Sequence, residues 1–397
     1  MADNPYSFRE IFEAMTLELI TSLRRTFMRH KKEELKEGFQ WEQWQLVKLR
    51  SIQRYRRTNK AIIDSFSPEI KSSIEKILQT SFTRGETNVQ RAVGQIIGQA
   101  EILFPEKTLP EYLIQPHTKE EIEAFVESKE LVKRAEELFQ VPREESFFGM
   151  NEKKLQALQE TVTQDIKKAQ HAVLRKMDDV YRQVIYKAEV NMSAGAKTLD
   201  QAIDMATKEF LEKGINCVEY KNGRRANIAS YAEMALRTAS HRATLLGEGK
   251  KRSEWGIYTV VVSAHANTCD MCLPWQGKVL IDDVFSDLAK ERARSLSQET
   301  GDPLLSTAIE ERLLHPNCRH TLTTYFPGIT QLPEVPDEET ARKNYEAEQE
   351  QRRIERNIRK FKRLLAGSID EENREKYQVE VKKWQAKISS TWTKIPS

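Results

Sequence analysis

Residues 155–188 read LQALQETVTQDIKKAQHAVLRKMDDVYRQVIYKA. Their apolar positions, Leu155, Leu158, Val162, Ile166, Ala169, Val173, Met177, Val180, Val184 and Ala188, repeat with the spacing 3, 4, 4. An eleven-residue period corresponds to about 3.67 residues per turn, so the apolar seam stays on one face of a long, nearly straight to slightly right-handed helix. Such a stripe is core or helix-partner surface rather than a ligand site, and His171 beside it reads as an exposed or packed histidine. The fold class follows from this segment: mainly α.

Upstream, Ser7 and Glu10 form an S-x-x-E capping-box pattern, and Phe8, Phe12, Met15, Leu19, Leu23 and Phe27 recur at helical spacing. A second and a third helix are expected over Trp41 to Ile63 and Pro68 to Ile97, with Gly38, Ser67 and Gly85 as breaks or interruptions. Pro105, Pro110 and Pro116 predict an extended connection from Phe104 to Thr118. Downstream, the chain breaks at Ser193 to Gly195. Thr198 and Gln201 then cap a helix whose buried face is Leu199, Ile203, Ala206 and Phe210, and Gly214 closes it. Cys217 to Lys221 and Arg224 to Ile228 read as a hairpin turned by Asn222-Gly223, with Cys217 a buried, inert thiol. Ser230 and Glu233 predict the cap of a further helix from Tyr231 to about Leu246.

Beyond that hairpin, strand character is concentrated in Trp255 to Ser263 and Lys278 to Asp282, where β-branched residues cluster, and in Thr321 to Tyr325. Between these strands lie the chemically distinctive residues. Cys269-Asp-Met-Cys272 is a C-x-x-C pair, and after forty-two intervening residues comes His315-Pro-Asn-Cys318-Arg-His320. Zinc takes four soft or borderline donors in a tetrahedron; Cys269, Cys272 and Cys318 with either His315 or His320 supply them. Four protein ligands would make the zinc structural rather than catalytic. A redox reading of the C-x-x-C lacks the βαβ context of a thioredoxin-like domain. The bland reading is two turns with reduced cysteines and no metal.

Beyond Pro327-Gly328 and Pro336 the chain reads as a charged helical hairpin. Ile354, Ile358, Phe361, Leu364 and Leu365 form one narrow stripe, Gly367 stops the helix, Ser368 with Glu371 caps the next, and Tyr377, Val381, Trp384 and Ile388 form the partner stripe. This arm is expected to pair with itself and to dock on another protein.

The whole is thus an elongated, mainly helical protein with a small α+β segment: a Cys/His zinc-type knuckle between short strands, and a C-terminal helical hairpin. Five segments are expected: a helical 1–103, basic at 21–60; a Pro-containing acidic connector, 104–151; a helical 152–250 with the Asn-Gly hairpin; the knuckle module, 251–328; and the charged hairpin, 329–397.

Composition narrows the function. Of 397 residues 31% are charged and 39% hydrophobic, which describes a well-hydrated helical chain with several small cores. No apolar run approaches the roughly 20 residues that span a bilayer, and the first ten residues carry no secretory pattern, so the expectation is no membrane contact and synthesis in a cytoplasm. Four cysteines are too few for a disulfide scaffold. The net charge of +3 hides segregation: Thr21 to Lys60 holds twelve Lys/Arg against four Asp/Glu, whereas Glu101 to Ser146 is net acidic. Trp41, Trp44 and Tyr55 interleave the basic run, as on nucleic-acid surfaces, so nonspecific DNA contact through 21–60 is one expectation and a solvated helix face the other.

The motifs Thr268-Cys-Asp-Met-Cys272, Trp275-Gln-Gly277-Lys-Val279 and His315-Pro-Asn-Cys-Arg-His320 resemble the Cys-x-x-Cys, Gly and His-Pro-Asn-Cys-Arg pattern of phage head-morphogenesis (Mu F-like) proteins. Tyr231-Ala-Glu-Met-Ala-Leu-Arg-Thr238 after the Asn-Gly turn, with Leu17-Glu-Leu-Ile20 and Trp41-Glu-Gln-Trp44, is similar to the branch called phage minor capsid protein 2. The resemblance covers roughly residues 5 to 328 and is specific from Asn222 to His320. Many relatives in the wider family place a cysteine where His320 stands, so this chain departs from the pattern at one candidate ligand, and the set Cys269, Cys272, His315 and Cys318 is preferred. The resemblance implies a low-copy, non-enzymatic virion protein in the phage head, associated with the portal protein and other capsid proteins and in contact with packaged DNA.

Competing enzyme readings meet specific gaps. A zinc deaminase needs His-x-Glu before Pro-Cys-x-x-Cys, but His265-Ala-Asn267 supplies no carboxylate and Thr268 precedes the knuckle. A His-Asn-His nuclease needs more histidines than His315 and His320, and neither a Walker loop nor G-x-S-x-G is present. The alternatives carried forward are a zinc-dependent nucleic-acid-processing enzyme and a DNA-binding assembly factor; no catalytic and no cofactor-binding residue is assigned.

Overall fold

The computed structural model describes residues 5–37, 51–103, 150–193, 198–220, 222–266, 268–316, 318–326 and 330–392. The described chain is mostly helical: α1 (Pro5–Glu37), α2 (Ile52–Leu103), α3 (Met150–Ser193), α4 (Leu199–Lys213), α5 (Ile228–Glu254), the short α6 (Lys290–Thr300) and α7 (Leu305–Glu310), α8 (Glu338–Gly367) and α9 (Glu371–Trp392). Strands β1 (Asn216–Glu219) and β2 (Arg225–Asn227) form an antiparallel hairpin. Strands β3 (Thr259–Val262), β4 (Val279–Ile281) and β5 (Leu322–Thr324) form an antiparallel sheet in the order β4-β3-β5. The acidic connector expected at 104–151 and its extended Phe104 to Thr118 portion lie outside the described residues except at the start of α3.

Two compact units partition the chain. The first comprises Met1–Ile74, Val162–Met234 and Ala347–Ser397; the second comprises Glu75–Thr161 and Ala235–Glu346.

Within the first unit, the periodic residues of α1 and α3 bury their stripes as the 3.6-residue repeat requires: Phe8, Phe12, Met15, Leu19, Leu23 and Phe27 from one helix, Ile166, Val173, Met177, Val180 and Val184 from the other. Tyr181 stacks on both Phe27 and Tyr55, with ring centroids 5.5 and 4.8 Å apart. Tyr55 is therefore a core residue and not part of an aromatic-basic surface; Trp41 and Trp44 lie outside the described residues. On α4, the Thr198 side chain accepts from the Gln201 N–H at 3.1 Å, and Gly214 closes the helix at φ 73°. The buried carboxylate of Asp204 accepts from the backbone N–H of Ile369 (2.8 Å) and Asp370 (3.3 Å), the Asn373 amide (3.0 Å) and the Ser368 hydroxyl. That set of bonds ties the α8–α9 connection to α4. The last two helices run antiparallel, since Phe361 meets Tyr377, Arg353 lies over Trp384 and Glu350 bonds Lys387.

Some local expectations fail for identifiable reasons. The interruptions expected at Ser67 and Gly85 are absent, and α2 is one helix through Pro68. Its apolar stripe, Ile63, Ile70, Ile74, Ile77, runs unbroken across the proline, and burial of that stripe outweighs the lost backbone bond. The helix expected from Tyr231 begins at Ile228, because the Asn227 side chain accepts from the Ala229 N–H and acts as the cap; Ser230 and Glu233 bind Arg9 instead. Likewise Asp370, not Ser368, accepts from the Asn373 N–H at the start of α9, the Ser368 hydroxyl being taken by Asp204. Ser7 lies inside α1, which starts at Pro5.

In the second unit, α2 and α5 approach at glycines. A Cβ on Gly85 would sit 2.1 Å from the Thr244 carbonyl oxygen, and one on Gly247 2.0 Å from that of Phe82. Arg252, near the end of α5, is fully buried and bonds Asp282, also fully buried, at 2.7 Å. Asp282 in turn accepts from the N–H of Phe285 at 2.8 Å. This pair anchors α5 to the loop after β4, one edge of the sheet that carries the Cys/His residues.

Candidate metal centre

Two tight turns present the donors. Cys269-Asp-Met-Cys272 closes with the Cys272 N–H bonded to the Cys269 carbonyl at 3.0 Å; His315-Pro-Asn-Cys318 closes the same way, Cys318 N–H to His315 carbonyl, at 2.8 Å. A residue and its third neighbour at the ends of such a turn point to one side, which is how short C-x-x-C segments grip one ion. Left-handed backbone at Arg312 (φ 76°) and Leu314 (φ 56°) reverses the chain just before the second turn. The sheet brings the turns together: Val262 at the end of β3 pairs with Leu322 at the start of β5, and the Ser263 N–H bonds the Thr321 carbonyl at 3.0 Å.

The five candidate ligands fall into two adjoining groups that share Cys272. Cys269, Cys272 and His315 form one group and Cys272, Cys318 and His320 another, the donor atoms of each lying within 4.8 Å of one another. The Cys272 and Cys318 sulfurs are 3.7 Å apart. A disulfide would bring them to about 2.05 Å. Tetrahedral zinc with Zn–S near 2.3 Å separates sulfurs by about 3.8 Å, so the pair has the metal spacing. Cys269 Sγ stands 3.2 Å from His315 Nε2, and Cys318 Sγ 3.4 Å from His320 Nδ1. Three sulfurs and imidazole nitrogens, with no carboxylate in either group, suit zinc and not calcium or magnesium. Both imidazoles have a partner for the second nitrogen: His315 Nδ1 faces the Pro316 carbonyl at 2.8 Å, and His320 Nε2 the Gln276 side-chain oxygen at 3.2 Å. Such outer contacts orient metal-binding histidines.

The electrostatics favour a charged sulfur. Hydrogen bonding from Cys272, and then from His320, holds the Cys318 thiol well below its usual range, while the same contact with Cys318, together with burial, pushes Cys272 up. Thiolate is the form that binds metal. Burial lowers the pKa of His265, and His320 beside it lowers it further.

The five candidate donors read from the sequence lie close together, and groups that the sequence reading did not single out surround them. Gln276 is buried and its side-chain oxygen also accepts from the His265 N–H at 2.6 Å; Thr268 Oγ1 lies 3.2 Å from His320 Nε2. His241 on α5 is electrostatically coupled to Cys318 and His320. The Trp-Gln-Gly that follows the first knuckle was the available signal for Gln276. Cys217 stands apart: half-buried on β1, with its thiol pushed up to about 12 by burial.

The profile of the phage minor capsid protein 2 family matches residues 107–391, which include both knuckles and the last two helices. The chain belongs to that family. The match starts later and runs further than the resemblance read over residues 5 to 328, for it leaves out α1 and α2 and takes in α8 and nearly all of α9. A protein of Lactococcus phage LL-H described as "Structural protein" is 25% identical over 187 residues, which is 46% of this chain and 48% of that protein. The matched stretch is thus about half of the curated relative's length. No solved structure matches. Family membership places the chain among the phage minor capsid proteins. No helix among the described residues is long and apolar enough to cross a membrane.

Proposed function

We propose that this minor capsid protein is a low-copy, non-enzymatic head component that sits with the portal protein and other capsid proteins, and that one structural zinc holds its Cys/His module. Convergence of three cysteines and two histidines from two distant turns, in a chain of a capsid family, carries the reading. Cys269, Cys272, His315 and Cys318 are the proposed ligands, with His320 as the alternative fourth. With four protein ligands the metal has no open position for water, so it would cross-link the turns and perform no hydrolysis. Nonspecific DNA contact through 21–60 remains part of the proposal; Arg25 and Arg29 line one cleft there with Thr21 and Ser22. The five sequence segments are proposed as divisions along the chain, and the C-terminal arm as the docking part.

Quantitative mass spectrometry of purified heads tests the assignment. The expected result is a fixed copy number close to that of the portal subunits and far below that of the major capsid protein. Absence from mature heads would leave a transient assembly factor or an enzyme and overturn the reading.

A further inference from the structure

A half-open cleft of about 350 Å³ within the first unit gathers positive charge. α1, the end of α4, the β2–α5 corner and α8 line it, with eight Lys/Arg side chains against two glutamates. The carboxylates nearby are already engaged. Glu13 is shared between Arg9 (2.7 Å) and Arg359 (3.5 Å), Glu212 takes Lys360 at 3.0 Å, and Glu350, outside the cleft, takes Arg353 at 2.5 Å. Three cations are left without a carboxylate among the described residues: Arg356, Lys362 and Arg363. Arg363 donates only to backbone, to the carbonyls of Leu211 (2.9 Å) and Glu212 (2.5 Å) at the end of α4. Burial is the main cause that lowers its pKa to about 10; Glu13 nearby opposes the shift, and Arg359 and Arg9 add to it as like charges.

Geometry and residue type indicate what would relieve that crowding. The α8 cations at 353, 356, 359, 360 and 363 recur every three or four residues and so share one face. At 1.5 Å per residue they extend over about 15 Å, longer than one phosphate group and suited to successive phosphates of a strand. Five of the eight cations are arginines, whose planar forks bind phosphate oxygens in pairs. Ala229 and Ser230 add the amino end of α5 to the wall. Among the described residues no aromatic side chain lines the cleft, so they offer no surface on which unpaired bases would stack.

We propose that this cleft grips the phosphodiester backbone of double-stranded DNA without reading its sequence. The proposal rests on the virion reading only for the presence of DNA within reach, and head copy number tests that reading separately.

The test is fluorescence anisotropy of the full-length protein with a labelled duplex of arbitrary sequence over a series of KCl concentrations. Arg356→Glu combined with Lys362→Glu is the decisive variant, since both side chains are exposed and pair with no described carboxylate; circular dichroism checks its fold. Affinity at low salt should fall by about tenfold or more, and the slope of log K on log salt should flatten by about 2, one per lost phosphate contact. The charge-conserving pair Arg356→Lys with Lys362→Arg should bind as the wild type does. Unchanged binding in the reversed variant, with loss in Arg25→Glu combined with Arg29→Glu, would place the contact in the amino-terminal basic stretch and overturn the proposal. So would polyglutamate competing better than DNA, which identifies an acidic protein partner, or a wild-type protein that binds no duplex at all.

Discussion

Cys272 belongs to both donor groups, so the choice of fourth ligand falls between His315, beside Cys269, and His320, beside Cys318. His315 stands against Cys269, the free end of the first knuckle, whereas His320 is buried and held by Gln276 and Thr268. If His315 is the ligand, His315→Ala and Cys318→Ser should each abolish bound zinc, read by metal analysis of protein purified without added metal. His320→Ala should then retain the ion with affinity weakened by roughly 10- to 100-fold, the usual effect of losing an outer contact. Full zinc in His315→Ala with none in His320→Ala would exchange their roles, and zinc in neither the variants nor the wild type would sink the metal centre. The donors were legible because C-x-x-C and H-x-x-C spacing is local. Gln276, Thr268 and His241 were not, because their proximity depends on the register of β3 with β5 and on how α5 packs, neither of which is written in short-range spacing.

At the scale of elements, the long apolar stripes of α1 and α3 could be read directly, since one face is buried along each helix. Helix α2 could not, because Gly85 has two opposite local meanings. A glycine weakens a helix by about 1 kcal/mol relative to alanine, which suggests a break, yet it also permits backbones to touch. Here the second meaning wins: Gly85 and Gly247 let α2 and α5 meet at carbonyl distance. Alanine at either position should raise helix propensity and still destabilise the second unit, by about 1–3 kcal/mol or more, because a Cβ at 2.0–2.1 Å from a backbone oxygen forces the helices apart. Urea unfolding followed by circular dichroism measures this. A midpoint that rises in Gly85→Ala would show that propensity outweighs the crossing. The caps taught a similar lesson, as Ser230 and Ser368 have the right side chains but spend them on Arg9 and Asp204.

At the scale of the whole molecule, each compact unit gathers stretches far apart in sequence, so compactness was less legible than any helix. Proline and glycine punctuation marks where the chain turns, while burial between stretches more than a hundred residues apart decides what forms one body. All five candidate ligands lie in the second unit, and the Asp204 latch and the cationic cleft lie in the first. A metal that binds only the folded knuckle stabilises it by mass action, in proportion to the logarithm of ligand over Kd. Structural zinc is commonly worth about 10 kcal/mol or more to its module, enough that the turns and the short strands they join should open when it is removed. Hydrogen exchange with and without a strong zinc chelator should therefore show faster exchange in peptides spanning 259–281 and 315–326, where three short strands supply few backbone bonds of their own. Peptides from 199–213 and 371–392 should keep their protection, because Ala202, Ile203, Ala206 and Leu211 are buried on the first helix and the Asp204 bonds to Ile369, Asp370 and Asn373 hold the start of the second. Equal acceleration in both sets would mean that the metal supports the entire fold, and unchanged exchange in both would mean that the sheet holds the turns without it.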